Sequence, residues 1–434
     1  DSFWMDSAGM AGAPLSLPLR GLQRADVAIV GGGFAGMSTA YHLARRFPQR
    51  RIVLLEGARC GYGASGRNGG FADPGTPGLE WVYASFGPEA GRAYYDATLL
   101  GLEQIRAFGR EHGVDCDFEP NGSLELATEA AQMEELARTH ARSQRMGLPT
   151  ELLDATAVRK AIRSERFVGA LRLPGPAILN PAKLALGMRR ILESLGVVIS
   201  ERSKVLRIDP GTKVRITTEY AEVEAPQAVV TVNGYAPRLG LFGDRLLPLC
   251  NYVCATEPLS AAQRSSLGWA GREGLSDARV QFMYLRLTRD DRIVFGGESA
   301  PYFYGGSPST GVYRPSIERL QRSLLETFPQ LEGVRFTHTW GGTMGFTRDF
   351  VPSIGHLDGA PNVFYACGFN GEGVVMTQLA GRILAHLVAG DRNRLTALPI
   401  VGKRMPYLGP EPLRSIAVRL YERWVDWEGR SPVR

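Results

Sequence analysis

Ala25-Asp26-Val27-Ala28-Ile29-Val30-Gly31-Gly32-Gly33-Phe34-Ala35-Gly36 is a short β-branched run that ends in a glycine turn. Beyond it, apolar residues recur at helical spacing (Ala40, Leu43, Ala44, Phe47) until Pro48. The order is strand, glycine turn, helix. A second buried strand, Arg51-Ile52-Val53-Leu54-Leu55-Glu56, closes on a carboxylate twenty residues after Gly36. Gly31 permits the tight turn, Gly33 lets the backbone approach a pyrophosphate, and Gly36 lets the helix pack on the strand. The pyrophosphate is expected against the helix start, where Phe34, Ala35 and Gly36 offer backbone N–H groups and the helix dipole favours negative charge. Glu56 suits a ribose diol and repels a 2′-phosphate, so the ligand is FAD or NAD. A glycine turn that only closes a βα unit is the plainer alternative; strand, helix and acidic residue at this spacing argue against it.

After Glu56 the chain runs Gly57-Ala58-Arg59-Cys60-Gly61-Tyr62-Gly63-Ala64-Ser65-Gly66-Arg67-Asn68-Gly69-Gly70. An NAD domain would normally pass directly into its next helix here. A glycine-dense loop offers N–H groups and small polar side chains to a ligand, with Ala64, Ser65, Arg67, Asn68, Gly69 and Gly70 as candidates beside Gly57. A flexible surface loop is the alternative.

These segments resemble the FAD-dependent oxidoreductases of the D-amino-acid oxidase and glycine oxidase superfamily, and within it the gamma-glutamylputrescine oxidase-like branch. Ser2-Phe3-Trp4 and the distal run from Trp340 through Thr347-Arg348-Asp349 to Gly355 are similar to that branch as well, so the likeness spans nearly the whole chain. It implies an α/β, Rossmann-like FAD-binding domain of the glutathione-reductase-2 type with an inserted α+β substrate domain built on an antiparallel sheet. The expected division is residues 22–75, 150–235 and 340–395 for FAD, 76–149 and 236–339 for substrate, and 400–434 as a C-terminal basic amphipathic helix. Relatives that bind FAD covalently use a Cys in the segment matching Thr343-Met344-Gly345 or a His near Ala64-Ser65-Gly66. Neither residue stands there, so a non-covalent flavin is expected.

Near the C-terminus, Pro361 to Cys367 reads as a strand, Gly368-Phe369-Asn370-Gly371-Glu372-Gly373 as a turn, and Val374 onward as a helix with Met376, Leu379, Ala380, Ile383, Leu384 and Leu387 on one face. The resemblance implies that this helix points at the flavin pyrimidine, with Gly368, Asn370, Gly371, Glu372, Gly373 and Val374 near the cofactor. Glu372 is expected to cap the helix rather than take part in chemistry.

Residues 280–287 and 292–295 read as a hairpin, and 249–256 as a further antiparallel strand. Alternation puts Phe282, Tyr284 and Arg286 on one face. Tyr252, Phe282, Tyr284, Trp340 and Arg348 are the substrate-pocket candidates, with core packing or surface pairing as their plain alternatives; no catalytic base is identified. His338 reads as structural.

At 434 residues, 44% hydrophobic and 22% charged, the chain reads as a soluble globular protein of two domains. The net charge of +6 comes from scattered basic residues, which speaks against nucleic acid as a partner. The five cysteines are dispersed without zinc spacing, so neither disulfides nor a metal site is expected. No run is apolar enough to span a membrane and residues 1–20 do not resemble a secretory signal, which points to the cytoplasm. In the C-terminal segment Ile416, Leu420, Trp424 and Trp427 interleave with Arg414, Arg419, Arg423 and Arg430, and docking onto protein is preferred over a membrane surface.

The expected function is FAD-dependent oxidation of a C–N bond in a small amine or amino acid by hydride transfer to flavin N5, with reoxidation by O2 or another acceptor. A flavin hydroxylase driven by NAD(P)H, and a non-catalytic flavin-binding or membrane-peripheral partner protein, are the alternatives.

Overall fold

A computed structural model describes residues 2–306 and 311–428. The strands Val27–Val30, Ile52–Leu55, Val198–Ser200, Gln227–Val230 and Ala360–Cys367 are parallel, with Ser353–Leu357 antiparallel at one edge. Val27–Val30 and Ile52–Leu55 are buried at every position, as continuous apolar strands covered on both faces must be. One face carries the helices Phe34–Arg46, Gly373–Val388 and Pro181–Ser194. The other is covered by a four-stranded layer of Gly21–Arg24, Val205–Asp209, Val214–Thr218 and Ala221–Ala225.

An eight-stranded sheet stands against this unit, in the spatial order Phe336–Phe346, Leu247–Thr256, Ile293–Gly297, Met283–Leu287, Gly274–Asp277, Ser123–Ala127, Gly169–Leu173, Glu151–Asp154. Its outer face packs a separate apolar core under the helix Arg314–Thr327. The expected hairpin is present, as Met283–Leu287 paired with Ile293–Gly297.

Strand membership departs from the expected segment boundaries. Glu151–Asp154 and Gly169–Leu173, expected with the nucleotide unit, pair antiparallel at the far edge of the large sheet. Leu153 is buried and Leu152 exposed there, the signature of a one-sided edge strand rather than a buried parallel one. The helix Leu79–His112, expected with the substrate segments, turns sharply at Gly87 and packs its second half on the nucleotide unit. A Cβ on Gly101 would lie 2.6 Å from Val375 O, so the glycine lets this helix meet Gly373–Val388 closely.

The C-terminal helix Leu413–Glu428 docks through polar groups: Arg414 donates to Gly243 O and Glu411, and Tyr302 N–H donates to Glu422 at 3.4 Å. Leu413, Ile416, Leu420 and Trp424 face outward. The side chain of Trp427, and Arg430, lie outside the described residues.

Candidate active site

Gly31 has φ of 109°, which an L side chain rarely adopts. At Gly36 a Cβ would sit 1.9 Å from Gly31 O, so the helix is seated as close to the strand as the motif requires. A Cβ at Gly33 would meet only Ser65 Oγ, at 3.1 Å. Ser65 Oγ accepts the Phe34 N–H at 2.9 Å, and Ala35 and Gly36 are first-turn donors with no acceptor inside the helix. Glu56 accepts from Gly32 N–H and Ala58 N–H, each at 2.8 Å. Burial raises its pKa while these backbone donors pull it down. Gly57 makes only ordinary contacts with Lys204, and nothing there demands a glycine.

The loop at residues 63–70 is tied rather than free. Arg67 donates through Nε to Tyr62 O at 2.8 Å and through Nη1 to Gly341 O at 3.2 Å, with its guanidinium over the Tyr62 ring. Asn68 donates to Ala64 O and Ser65 O and accepts from Gly70 N–H. Both side chains therefore shape the loop through these bonds. Three carbonyls in succession, of Gly66, Arg67 and Asn68, accept from Ser2 Oγ, Trp340 Nε1 and Trp4 Nε1 at 2.7, 2.8 and 2.8 Å. The N-terminal helix Phe3–Ser7 thus braces the loop, a role that sequence reasoning did not assign to it. Gly69 lies under the Tyr284 ring, where a Cβ would come within 2.5 Å, and Gly70 turns with φ of 79° against Leu179 O.

In the distal turn Asn370 Oδ1 accepts from Thr347 N–H at 2.8 Å and Nδ2 donates to Gly368 O at 2.5 Å. Gly368 and Gly371 have positive φ, with Met344 Sδ 3.4 Å from where a Gly371 Cβ would stand. Gly373 and buried Val374 open the helix. Glu372 occupies the N-cap position but its side chain does not cap, which corrects the expected role. Its Oε2 accepts instead from Thr76 Oγ1 at 3.3 Å.

Sheet register aligns Glu125, Ser276, Tyr284, Gly296, Val253 and Trp340 in one cross-strand row. Tyr284 reaches across Gly296, which has no side chain to block it, and donates to Asn251 Oδ1 at 3.1 Å. Phe71 packs edge-on against it, with ring centroids 5.6 Å apart. Phe282 stands beside Tyr284, 37% exposed. Arg286 lies under the Trp4 ring and donates to Leu179 O at 2.6 Å and Gly70 O at 3.2 Å; burial lowers its pKa to about 10.

Not every candidate is brought to this face. Tyr252 is 1% exposed and belongs to the outer core, its neighbours on the strand being oppositely directed. Arg348 is exposed, and Asp349 pairs with Lys403 rather than with it. His338 sits 3.3 Å from Asp6, beside the Phe3 ring. Asp73, Glu125 and Asn251 were missed by sequence reasoning. Glu125 and Asn251 are placed by strand register across segments far apart in the chain, which no local pattern carries, and Asp73 follows the two-residue strand Phe71–Ala72.

The sequence matches the family described as "DAO: FAD dependent oxidoreductase" over residues 26–387. It is 33% identical over 396 residues to gamma-glutamylputrescine oxidoreductase of Escherichia coli (strain K12), covering 90% of this chain and 89% of that protein. Glycine oxidase of Geobacillus kaustophilus (strain HTA426) is 25% identical, over 87% of this chain and 96% of the relative. The crystal structure of glycine oxidase from Geobacillus kaustophilus superposes with a TM-score of 0.76 at 21% identity, covering 88% of this chain and all (100%) of that one.

Proposed function

Since the chain belongs to the DAO family of FAD-dependent oxidoreductases, we propose that it oxidises the C–N bond of a small amine or amino acid. The observation that carries this reading is the glycine cradle at Gly31–Gly36 joined, through the loop at residues 63–70, to a sheet face that presents Tyr284, Asn251 and Trp340. A single dinucleotide fingerprint is present in the sequence, so the substrate itself is the reductant.

The cradle fits the cofactor: Gly33 has an open side, the Ala35 and Gly36 amides await an anion, and Glu56 stands at the end of the second strand. Bound there, FAD supplies an acceptor for the hydride leaving the carbon beside the amine nitrogen and delivers the electrons to O2 or another acceptor. Glu56 would hold the ribose, the helix start at Phe34 the pyrophosphate, and Gly69, Gly70 and the turn at Gly371–Gly373 the flavin end. With no His in Ala64-Ser65-Gly66 and no Cys in Thr343-Met344-Gly345, attachment is non-covalent. Tyr284, Phe71 and Trp340 exclude water and hold the substrate carbon in place. The imine product hydrolyses in water to a carbonyl compound and a free amine.

Anaerobic addition of amines and amino acids to the purified flavoprotein tests the reading. Bleaching of the flavin absorbance by an amine is expected. Bleaching by NADH or NADPH alone would replace this reading with a hydroxylase.

A further inference from the structure

The helix Leu413–Glu428 inverts the burial expected of a surface helix. Arg414 and Ser415 are buried and Glu422 is half-buried, while Leu413, Ile416, Leu420, Tyr421 and Trp424 are 48–63% exposed. The polar side is anchored: Arg414 lies over the Tyr302 ring, Ser415 Oγ donates to Glu411 at 2.6 Å, and Glu422 accepts from Tyr302 N–H. The exposed apolar residues, with Ala417, share one stripe along the helix by their spacing. Their open surface is on the order of 500 Å², the upper end of what a monomer leaves uncovered.

Arg419 and Arg423, one turn apart, line one edge of that stripe and are exposed. Among the described residues neither has an ion pair or a hydrogen bond. Glu422 is the one carboxylate in residues 413–424, and it lies on the anchored side. Farther on, Asp426 and Glu428 are matched in number by Arg430 and Arg434. The stripe therefore presents apolar surface flanked by unpaired positive charge. A second copy of the chain is a poor cover for it: in a twofold contact the same face meets itself, and arginines approach arginines with no carboxylate between them. A lipid surface suits both halves of the pattern, taking the apolar side chains to the level of the acyl chains and the guanidinium groups among phosphates. Tyr421 and Trp424, with ring centroids 5.8 Å apart, supply the aromatic pair that settles at such a boundary. Among the described residues no helix is long and apolar enough to cross a membrane, so the contact is with the surface.

We propose that the outward face of Leu413–Glu428 docks the protein on an anionic phospholipid surface, with Leu413, Ile416, Leu420 and Trp424 entering the interface and Arg419 and Arg423 at headgroup level. Docking onto protein, expected from the sequence, holds for the polar side alone. The helix need not leave its seat, because the side that enters the lipid is already open to solvent. The inference is independent of the amine-oxidising reading.

Co-sedimentation of the flavin-loaded full chain with sucrose-filled vesicles tests it, using phosphatidylcholine alone and phosphatidylcholine with about 30 mol% phosphatidylserine. Binding to the anionic vesicles is expected to be tighter by about tenfold or more, and to weaken in high salt. Leu420→Gln combined with Trp424→Gln should abolish binding to both. Arg419→Gln combined with Arg423→Gln should remove the preference for phosphatidylserine. All four side chains are exposed and outside the cofactor and substrate regions, so flavin content and melting temperature should stay at wild-type values. Wild-type protein that stays in the supernatant with both vesicles overturns the proposal whatever the variants do. Equal binding to the two vesicle types does so too, as does binding that both double variants keep unchanged. A concentration-dependent dimer in sedimentation equilibrium, without vesicle binding and lost in the Leu420→Gln, Trp424→Gln protein, would assign the face to a second copy instead.

Discussion

Trp4 and Trp340 donate their indole N–H groups to the adjacent carbonyls of Asn68 and Arg67, each at 2.8 Å. One tryptophan belongs to the first helix and the other to the edge strand of the large sheet. The glycine-rich loop beside the nucleotide turn is therefore held by two segments far apart in the sequence. Trp340→Phe keeps most of the apolar contact and leaves the Arg67 carbonyl without its donor, a loss of about 1–3 kcal/mol. A lower melting temperature and faster flavin release on dilution are expected. Flavin release at the wild-type rate would show that the loop does not depend on this brace.

Gly36→Ala tests the seating of the nucleotide helix. The new methyl would be placed 1.9 Å from Gly31 O and 2.7 Å from Thr231 Oγ1, and the first of these is backbone that cannot rotate away. The helix must lift, at roughly 2 kcal/mol or more, and its first-turn amides move with it. Purified Gly36→Ala protein is expected colourless, with at least tenfold weaker FAD binding by fluorescence quenching. Full flavin occupancy in this variant would contradict the close packing.

The nucleotide unit was legible because its determinants are local. Gly31, Gly36 and Glu56 lie within one strand–helix–strand unit, and each residue type answers a need set by its immediate neighbours. The sheet face was only half legible. Alternation correctly put Tyr284 and Arg286 on one face of their strand and Leu285 on the other, yet it could not tell which face looked toward the nucleotide unit. Tyr252 was misjudged for that reason, since its aromatic ring suits an outer core as well as a pocket. Glu372 misled in another way. Its N-cap position promised a cap, but the partner that claims its carboxylate is Thr76, from a segment distant in sequence.

His42 gives a stability signal in mild acid. Burial lowers its pKa to about 4, with Gln104 opposing the shift and Arg382, His386 and Arg45 adding repulsion. The unfolded chain takes up this proton near pH 6.5, whereas the folded chain refuses it until about pH 4, so stability falls as pH drops through that window. The loss amounts to about 3 kcal/mol at the lower end. His42→Gln removes the titrating group, and its melting temperature should decline less than that of wild type between pH 6.5 and 4. Parallel curves would exclude His42 as the cause.

Glu125 acts in the opposite direction. Burial, followed by the charges of Glu80, Glu372, Glu135 and Asp277, raises its pKa to about 7. The unfolded chain releases the proton near pH 4.5 while the folded chain holds it to about pH 7, so this group withdraws stability as pH rises across that interval. Above it the penalty reaches about 3 kcal/mol, reduced where water reaches the carboxyl. Glu125→Gln should accordingly raise the melting temperature at pH 8 and leave it unchanged at pH 4. A melting temperature at pH 8 equal to that of wild type would exclude Glu125 as the source of the penalty.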